Sequence, residues 1–161
     1  MSDIANPAKA RFIELASSIE FGERYYAYCG RFQATGPEIP LETQTQALKA
    51  TGRTFRYHKS ENFFAWRDSN GPEGCELGLN LILKYANLHW IIVFNTPTAR
   101  LGGPMNLVGF QAKRHAEPTF LPDPPNPMAH AATKSALAEA LDQGLVLYES
   151  LAAEIAKSEW K

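Results

Sequence analysis

Two neighbouring stretches of alternating side chains constrain the fold more than any other part of the chain. They are residues 76–85 (ELGLNLILKY) and 89–96 (HWIIVFNT), separated by Ala86-Asn87-Leu88. Because strand side chains alternate between two faces and short connections join antiparallel strands, the pair predicts a β-hairpin. A two- or four-residue loop pairs Tyr85 with Trp90, Leu83 with Ile92 and Leu81 with Phe94 on one face. The opposite face then carries Asn80, Ile82, Lys84, Ile91, Val93 and Asn95.

Further strands are predicted on both sides of this hairpin, giving a sheet over about 54–112. Residues 54–59 (TFRYHK) alternate apolar and polar side chains, and a turn at 60–62 leads into 63–68 (FFAWRD). Residues 106–112 (NLVGFQA) predict a fifth strand, with Gly109 as a weak point or a bulge. Residues 42–50 (ETQTQALKA) fit either a short helix or a polar edge strand.

Helical patterns flank the predicted sheet. Asn6-Pro7 combines a capping residue with a proline suited to the first turn, and predicts a helix over about 7–29 with an irregularity near Gly22. Residues 117–127 (EPTFLPDPPNP) predict an extended Pro-rich connection. Asn126-Pro127 repeats the capping signal, and an apolar stripe from Leu137 to Ile155 predicts a helix over about 128–158.

These elements predict one domain, 1–161, of the α+β class. Its architecture is an antiparallel sheet of about five strands, with the N-terminal helix and the long C-terminal helix packed on one face. An apolar fraction of 45% and a charged fraction of 20% are typical of soluble globular proteins.

Location and chemistry are predicted mainly from patterns that the chain lacks. The start, MSDIANPAKARF, is not a signal peptide, and the apolar run from Leu88 to Phe94 is too short for a membrane span, so we expect a cytoplasmic protein, with bacterial origin as our guess. Cys29 and Cys75 lie in no CxxC motif and are expected to be buried free thiols rather than metal ligands. The chain has no GxSxG or HExxH pattern and no cofactor fingerprint. We therefore predict no catalytic residue, no metal site and no cofactor.

Two local patterns allow a functional and a structural interpretation. The loop Arg100-Leu101-Gly102-Gly103-Pro104 resembles a phosphate cradle, but a hairpin connection with positive φ explains its glycines equally well. Aromatic and basic side chains alternate at Tyr57, His58, Lys59, Phe64, Trp66 and Arg67. They fit a nucleic-acid stacking platform, although packing in the core is the simpler account.

Charge distribution provides the remaining functional argument. The overall net charge is −1, but residues 49–115 carry +5, while the preceding segment carries −2 and the following one −4. Either these charges compensate one another, or a basic sheet face attracts an acidic partner.

Our leading hypothesis is a non-enzymatic cytosolic protein-binding domain that recognises an acidic patch on another protein, for example an immunity or antitoxin-type protein that occludes a toxin. The predicted partner-binding residues are Arg56, His58, Asn80, Lys84 and Arg100. The main alternative is a small enzyme or small-ligand binder with a pocket between sheet and helices. If the open sheet face is the interface of a homodimer, its role is structural and not functional. A nucleic-acid binder is the weakest hypothesis.

Overall fold

A computed structural model describes residues 6–160. Residues 1–5 lie outside the described residues, as does Lys161. Residues 1–5 belong to the N-terminal stretch that is predicted not to be a signal peptide. The helices are α1 (Pro7–Ser18), α2 (Phe21–Arg31), α3 (Leu41–Ala50), α4 (Met105–Ala116) and α5 (Lys134–Ala156). The strands are β1 (Arg56–His58), β2 (Phe63–Arg67), β3 (Glu76–Lys84), β4 (Asn87–Asn95), β5 (Gly103–Pro104) and β6 (Ala129–His130).

The six strands form one antiparallel sheet, which confirms the α+β class. Its order is β1-β2-β3-β4-β5, and the short β6 also pairs with β4, near its start. The helices pack on one face of this sheet, as predicted. Within the described residues, no helix is both long and apolar enough to cross a membrane.

The central hairpin of β3 and β4 has the predicted faces but a different register. A two-residue turn, Tyr85-Ala86, has φ of 52° and 64°, so that Leu83 pairs with Leu88 and Leu81 with Trp90. Because side chains alternate with period two, this even shift keeps the leucines facing the core. Tyr85, predicted to face the helices, instead occupies the turn and is 71% exposed.

The predicted N-terminal helix is in fact two helices. Asn6 caps α1 as expected, and its Oδ1 accepts a hydrogen bond of 3.0 Å from the Ala8 backbone N–H. The chain then breaks at Glu20, which has a left-handed φ of 56°, two residues before the predicted irregularity at Gly22. The break re-aims α2 so that Tyr25, Tyr28 and Cys29 are buried.

The prediction of a strand over 106–112 is wrong, because this segment lies in α4. Its buried residues, Met105, Val108, Gly109 and Ala112, follow helical spacing. Gly109 marks a close helix crossing instead of a bulge. A Cβ added to Gly22 of α2 would lie only 2.5 Å from the Gly109 carbonyl oxygen. The place of the predicted fifth strand beside β4 is taken by β5 and β6.

Two other boundaries differ from the sequence prediction. The ambiguous segment 42–50 belongs to helix α3, which buries Gln44, Ala47 and Leu48. The C-terminal helix begins at Lys134, not near residue 128, and the Thr133 side chain caps it by accepting a hydrogen bond of 3.1 Å from the Ala136 backbone N–H. Ala129 and His130 form β6 instead of the first helical turn.

The core is centred on Trp90, where one hydrogen-bonded junction ties β4 to two helices. The Trp90 Nε1–H donates to the Tyr28 hydroxyl at 3.0 Å, and that hydroxyl donates to the Ala140 carbonyl at 2.8 Å. Gly144, one turn further along α5, lies directly under the indole ring. The junction therefore fixes α2 and α5 against the sheet and satisfies the polar atoms of two buried aromatic side chains.

We predict that Gly144→Ala destabilises the protein although alanine is the better helix former. An added Cβ would lie 2.6 Å from Trp90 Cζ2, so that either the buried ring or α5 must shift. We expect a loss of about 2 kcal/mol in urea unfolding. Gly30→Ala in α2 is the matched control, because its Cβ meets nothing within 4 Å. It is expected to gain up to about 1 kcal/mol, and a stabilised Gly144→Ala would contradict the packing argument.

A second prediction concerns the Tyr28 hydroxyl. Tyr28→Phe removes the acceptor of the Trp90 Nε1–H and is expected to cost about 1–3 kcal/mol in the free energy of unfolding. Tyr26→Phe on the same helix is the control, because the buried Tyr26 hydroxyl has no hydrogen-bond partner among the described residues. Equal losses in the two variants, measured by chemical denaturation, would show that the junction contributes nothing specific.

Candidate functional site

The sheet face that points away from the helices carries a partly exposed apolar patch. On β4 the residues alternate between buried and partly exposed, with Trp90 and Ile92 inward and Ile91 and Val93 outward. We call the apolar residues of this face the outward patch. They are Phe63, Ala65, Ile82, Ile91 and Val93.

Strand register places the residues of the outward patch on three neighbouring strands, with the polar Asn80 among them. Ala65 on β2, Asn80 on β3 and Ile91 on β4 form one cross-strand row. Ile82 pairs with His89, which places it diagonally next to Ile91. None of the patch residues packs against the buried core, so the patch is a separate apolar surface.

Arg67 lies across one end of this face and is held by its neighbours. Its Nε–H donates to Glu76 Oε2 at 2.9 Å, and its Nη1 donates to Asn80 Oδ1 at 3.0 Å. Asn95 Nδ2 donates to the other Glu76 oxygen at 2.7 Å. Hydrogen bonds from Arg67 and Asn95 lower the pKa of Glu76. The network therefore orders the polar side chains next to the outward patch.

All five residues predicted to bind a partner lie on this same face. Arg56 is on β1, and Lys84 ends β3, both exposed. Arg100 is exposed and forms a β-bridge with Asn95, which directs it to the same side. Among the described residues, Arg56, Lys84 and Arg100 form no ion pair. These three cations lie on the same face as the outward patch, and the positive charge of Arg100 also lowers the pKa of Glu76.

The other two predicted residues contact the patch and its polar network. The His58 ring stacks on Phe63, with ring centroids 4.6 Å apart and planes 6° from parallel. Asn80 is held by Arg67 in the middle of the face. Sequence reasoning did not assign Phe63, Arg67 or Glu76 to this surface, because the sheet register brings them there from different strands.

The alternating aromatic and basic residues of β1 and β2 do not form a single platform. Tyr57, Phe64 and Trp66 point to the helix side, where Trp66 packs edge-on against Tyr148 with centroids 5.4 Å apart. His58 and Arg67 lie on the opposite face. Strand alternation therefore separates the residues that a stacking platform needs together.

The glycine loop 100–104 leads into helix α4 and not into a strand as predicted. Leu101 is fully buried, and a Cβ added to Gly102 would lie 2.1 Å from the Ile92 carbonyl oxygen. Gly102 is thus required by the close approach of this loop to β4. The packing accounts for this glycine without any phosphate.

A cavity of about 610 Å³ lies beside the end of α2. Its walls come from α2, the start of β4, β6 and the Pro-rich segment, and they include Tyr26, Cys29, Asn87, Phe120, Asp123 and His130. Sequence reasoning missed this site, because no local pattern links these residues. The chain brings them together only when the Pro-rich segment folds back over α2.

Two titratable side chains of this cavity, Cys29 and Tyr26, are poorly suited to catalysis at neutral pH. Burial raises the pKa of the Cys29 thiol to about 11 and that of the Tyr26 hydroxyl to about 12. Both groups therefore remain protonated, and neither is an activated nucleophile or base. In residues 6–160, no group of three His, Cys, Asp or Glu side chains is arranged to hold a metal ion.

The buried environment of His89 shifts its titration. Its Nε2 is buried and has no hydrogen-bond partner among the described residues, and desolvation lowers its pKa below the usual 6.5. The unfolded chain therefore binds a proton that the folded protein does not, and the free energy of unfolding falls as the pH drops below about 6.5.

We predict that His89→Gln makes stability less sensitive to pH in this range. Urea unfolding at pH 7.5 and at pH 5.5 measures the effect, and the wild type should lose more stability than the variant. An NMR titration of the His89 ring in the wild type should give a pKa below 6.5. An equal pH dependence in the two proteins would contradict the proposed desolvation.

Comparisons with known proteins do not assign the chain to a family. The chain matches no family model, and neither the curated proteins nor the solved structures include one that is significantly similar to it.

Proposed function

We propose that this protein is a non-enzymatic cytosolic protein-binding domain, whose outward patch binds a protein with an acidic rim around an apolar centre. The observation that carries the proposal is the composition of one sheet face. Five apolar residues are partly exposed and separate from the core, and three exposed cations, Arg56, Lys84 and Arg100, lie on the same face.

This arrangement matches the anatomy of protein interfaces. Binding free energy comes mainly from a central apolar cluster that loses its water, while a polar rim sets orientation and specificity. Phe63, Ile82 and Ile91 form the centre here. The face is also preorganised, because it lies on a regular sheet and Arg67 is fixed by Glu76 and Asn80. Little side-chain entropy is then lost on binding.

The positive charge of this face favours an acidic partner. On the strands of this face lie Arg56, Arg67 and Lys84 against the carboxylate of Glu76, and Arg100 lies opposite Asn95 beside them. A partner with acidic side chains at its rim gains attraction and a faster association. A second copy of this chain would present the same positive charge, which disfavours a homodimer through this face. An immunity or antitoxin-type role, in which the domain covers a toxin, is one biological form of such binding.

The test begins with capture of partners from a lysate of the source cells, followed by purification of the captured protein and calorimetric measurement of its Kd. Ile82→Asp should weaken binding at least about tenfold by placing a carboxylate in the apolar centre. Arg56→Glu/Lys84→Glu should weaken it to a similar extent, and added salt should slow association of the wild type.

Matched controls carry the same changes on the helix side. Val146→Asp alters an exposed apolar residue of α5, and Arg24→Glu/Lys134→Glu reverses two exposed helix cations. Neither should change the Kd by more than about twofold. The proposal fails if folded bait retains no partner, or if the controls weaken binding as much as the face variants do.

A further inference from the structure

We infer that the cavity beside α2 binds a small organic cation, a protonated amine carried on an apolar ring. This inference does not depend on the outward patch, because the cavity is built mainly by α2, β6 and the Pro-rich segment. Its volume of about 610 Å³ lies within the range of small-molecule sites, about 300–1,000 Å³.

The Pro-rich wall of the cavity is fixed by specific hydrogen bonds. The Tyr25 hydroxyl donates to the Pro127 carbonyl at 2.9 Å, and Gln33 Nε2 donates to the Met128 carbonyl at 3.0 Å. At the other end, Arg114 Nε donates to the Phe120 carbonyl at 2.7 Å. These bonds hold the segment at both ends and leave residues 121–126 arching over the cavity, so the site is formed before any ligand binds.

Several polar side chains in the walls have no protein partner. The amide of Asn87 forms no side-chain hydrogen bond among the described residues, and its Oδ1 is buried. The hydroxyl oxygen of Tyr26 is buried and unpartnered as well. Such groups are costly to leave unsatisfied. A ligand N–H reached by a small rotation of either side chain would supply the missing donor.

Charge and ring contacts narrow the ligand class to cations. Asp123 is exposed and is the one Asp or Glu among the lining residues, and it favours a positive ligand over a negative one. The rings of Tyr26 and Phe120 lie 5.4 Å apart among the lining residues, together with Pro122 and Pro124. Lys113 Nζ already lies 5.4 Å from the centroid of the Phe120 ring, whereas no cation lies over the Tyr26 ring among the described residues, so the Tyr26 ring is the one offered to a ligand. Aromatic faces attract cations, and the prolines offer an apolar surface to a ring.

The first experiment compares two probes on the wild-type protein by ¹H–¹⁵N NMR titration. Phenethylamine, a cation, should give saturable shifts in residues 26–33, 87 and 120–130. Phenylacetate, an anion of similar size, should bind about tenfold more weakly or worse. The inference is overturned if phenethylamine causes no saturable shift, if its shifts scatter over the whole surface, or if phenylacetate binds as well.

Two variants then test the location of the site. Gly30 lines the cavity, and an added Cβ there meets nothing within 4 Å, so Gly30→Leu should occupy the space and abolish binding without disturbing the fold. Asp123→Asn should weaken phenethylamine about fivefold, as expected for a solvent-exposed ion pair. Asp142→Asn changes an exposed carboxylate of α5 and is the matched control. Unchanged binding in both Gly30→Leu and Asp123→Asn would place the probe elsewhere and overturn the inference.

Discussion

The contact between Trp90 and α5 is the constraint on which the rest of the structure depends. The indole of Trp90 is too large to be covered by an ordinary helix residue, so Gly144 lets the helix axis approach the sheet, while the Tyr28 hydroxyl takes up the ring N–H. The same hydroxyl bonds the Ala140 carbonyl one turn before Gly144. The position and orientation of α2 and α5 are therefore set by Trp90 of the central strand. This contact explains the presence of Gly144, which helix propensity alone would disfavour.

A sheet covered in this way on one face leaves its other face to a different use. The helices, including the short α3, pack on the side of Trp90 and Ile92, whereas Ile91 and Val93 remain partly exposed. Isolated exposed apolar residues are ordinary on protein surfaces, whereas the outward patch groups five of them on three neighbouring strands. Arg67 and Glu76 form a hydrogen-bonded pair there, while Arg56 and Lys84 do not. Cations at the margin and apolar side chains in the centre are features of a surface that binds another protein.

The sequence predicted the faces of the sheet far better than its connections. Period-two alternation in β3 and β4 identified the inward leucines and the outward Asn80 and Lys84, because burial of one face leaves a local signal. The register was missed, since the turn residues Tyr85 and Ala86 adopt positive φ without the Asn-Gly or Asp-Gly pair that usually marks such a turn. The segment 106–112 was mistaken for a strand because a short apolar run is ambiguous on its own, whereas the helical spacing of its buried residues is clear only when Met105 is included.

The two proposed sites differ in how much of each can be predicted from the sequence. Alternation within strands already predicts that Arg56, His58, Asn80 and Lys84 share the face of the outward patch, whereas the ring stack of His58 on Phe63 leaves no local signal in the sequence. The cavity depends on contacts between residues about a hundred positions apart, such as Tyr25 with Pro127 and Gln33 with Met128. No periodicity records such contacts. The Pro-rich segment is predicted to be an extended connection. The stiffness that its prolines provide is consistent with a cavity wall that is held at its two ends. The same physical property thus accounts for both the prediction and the site that the prediction missed.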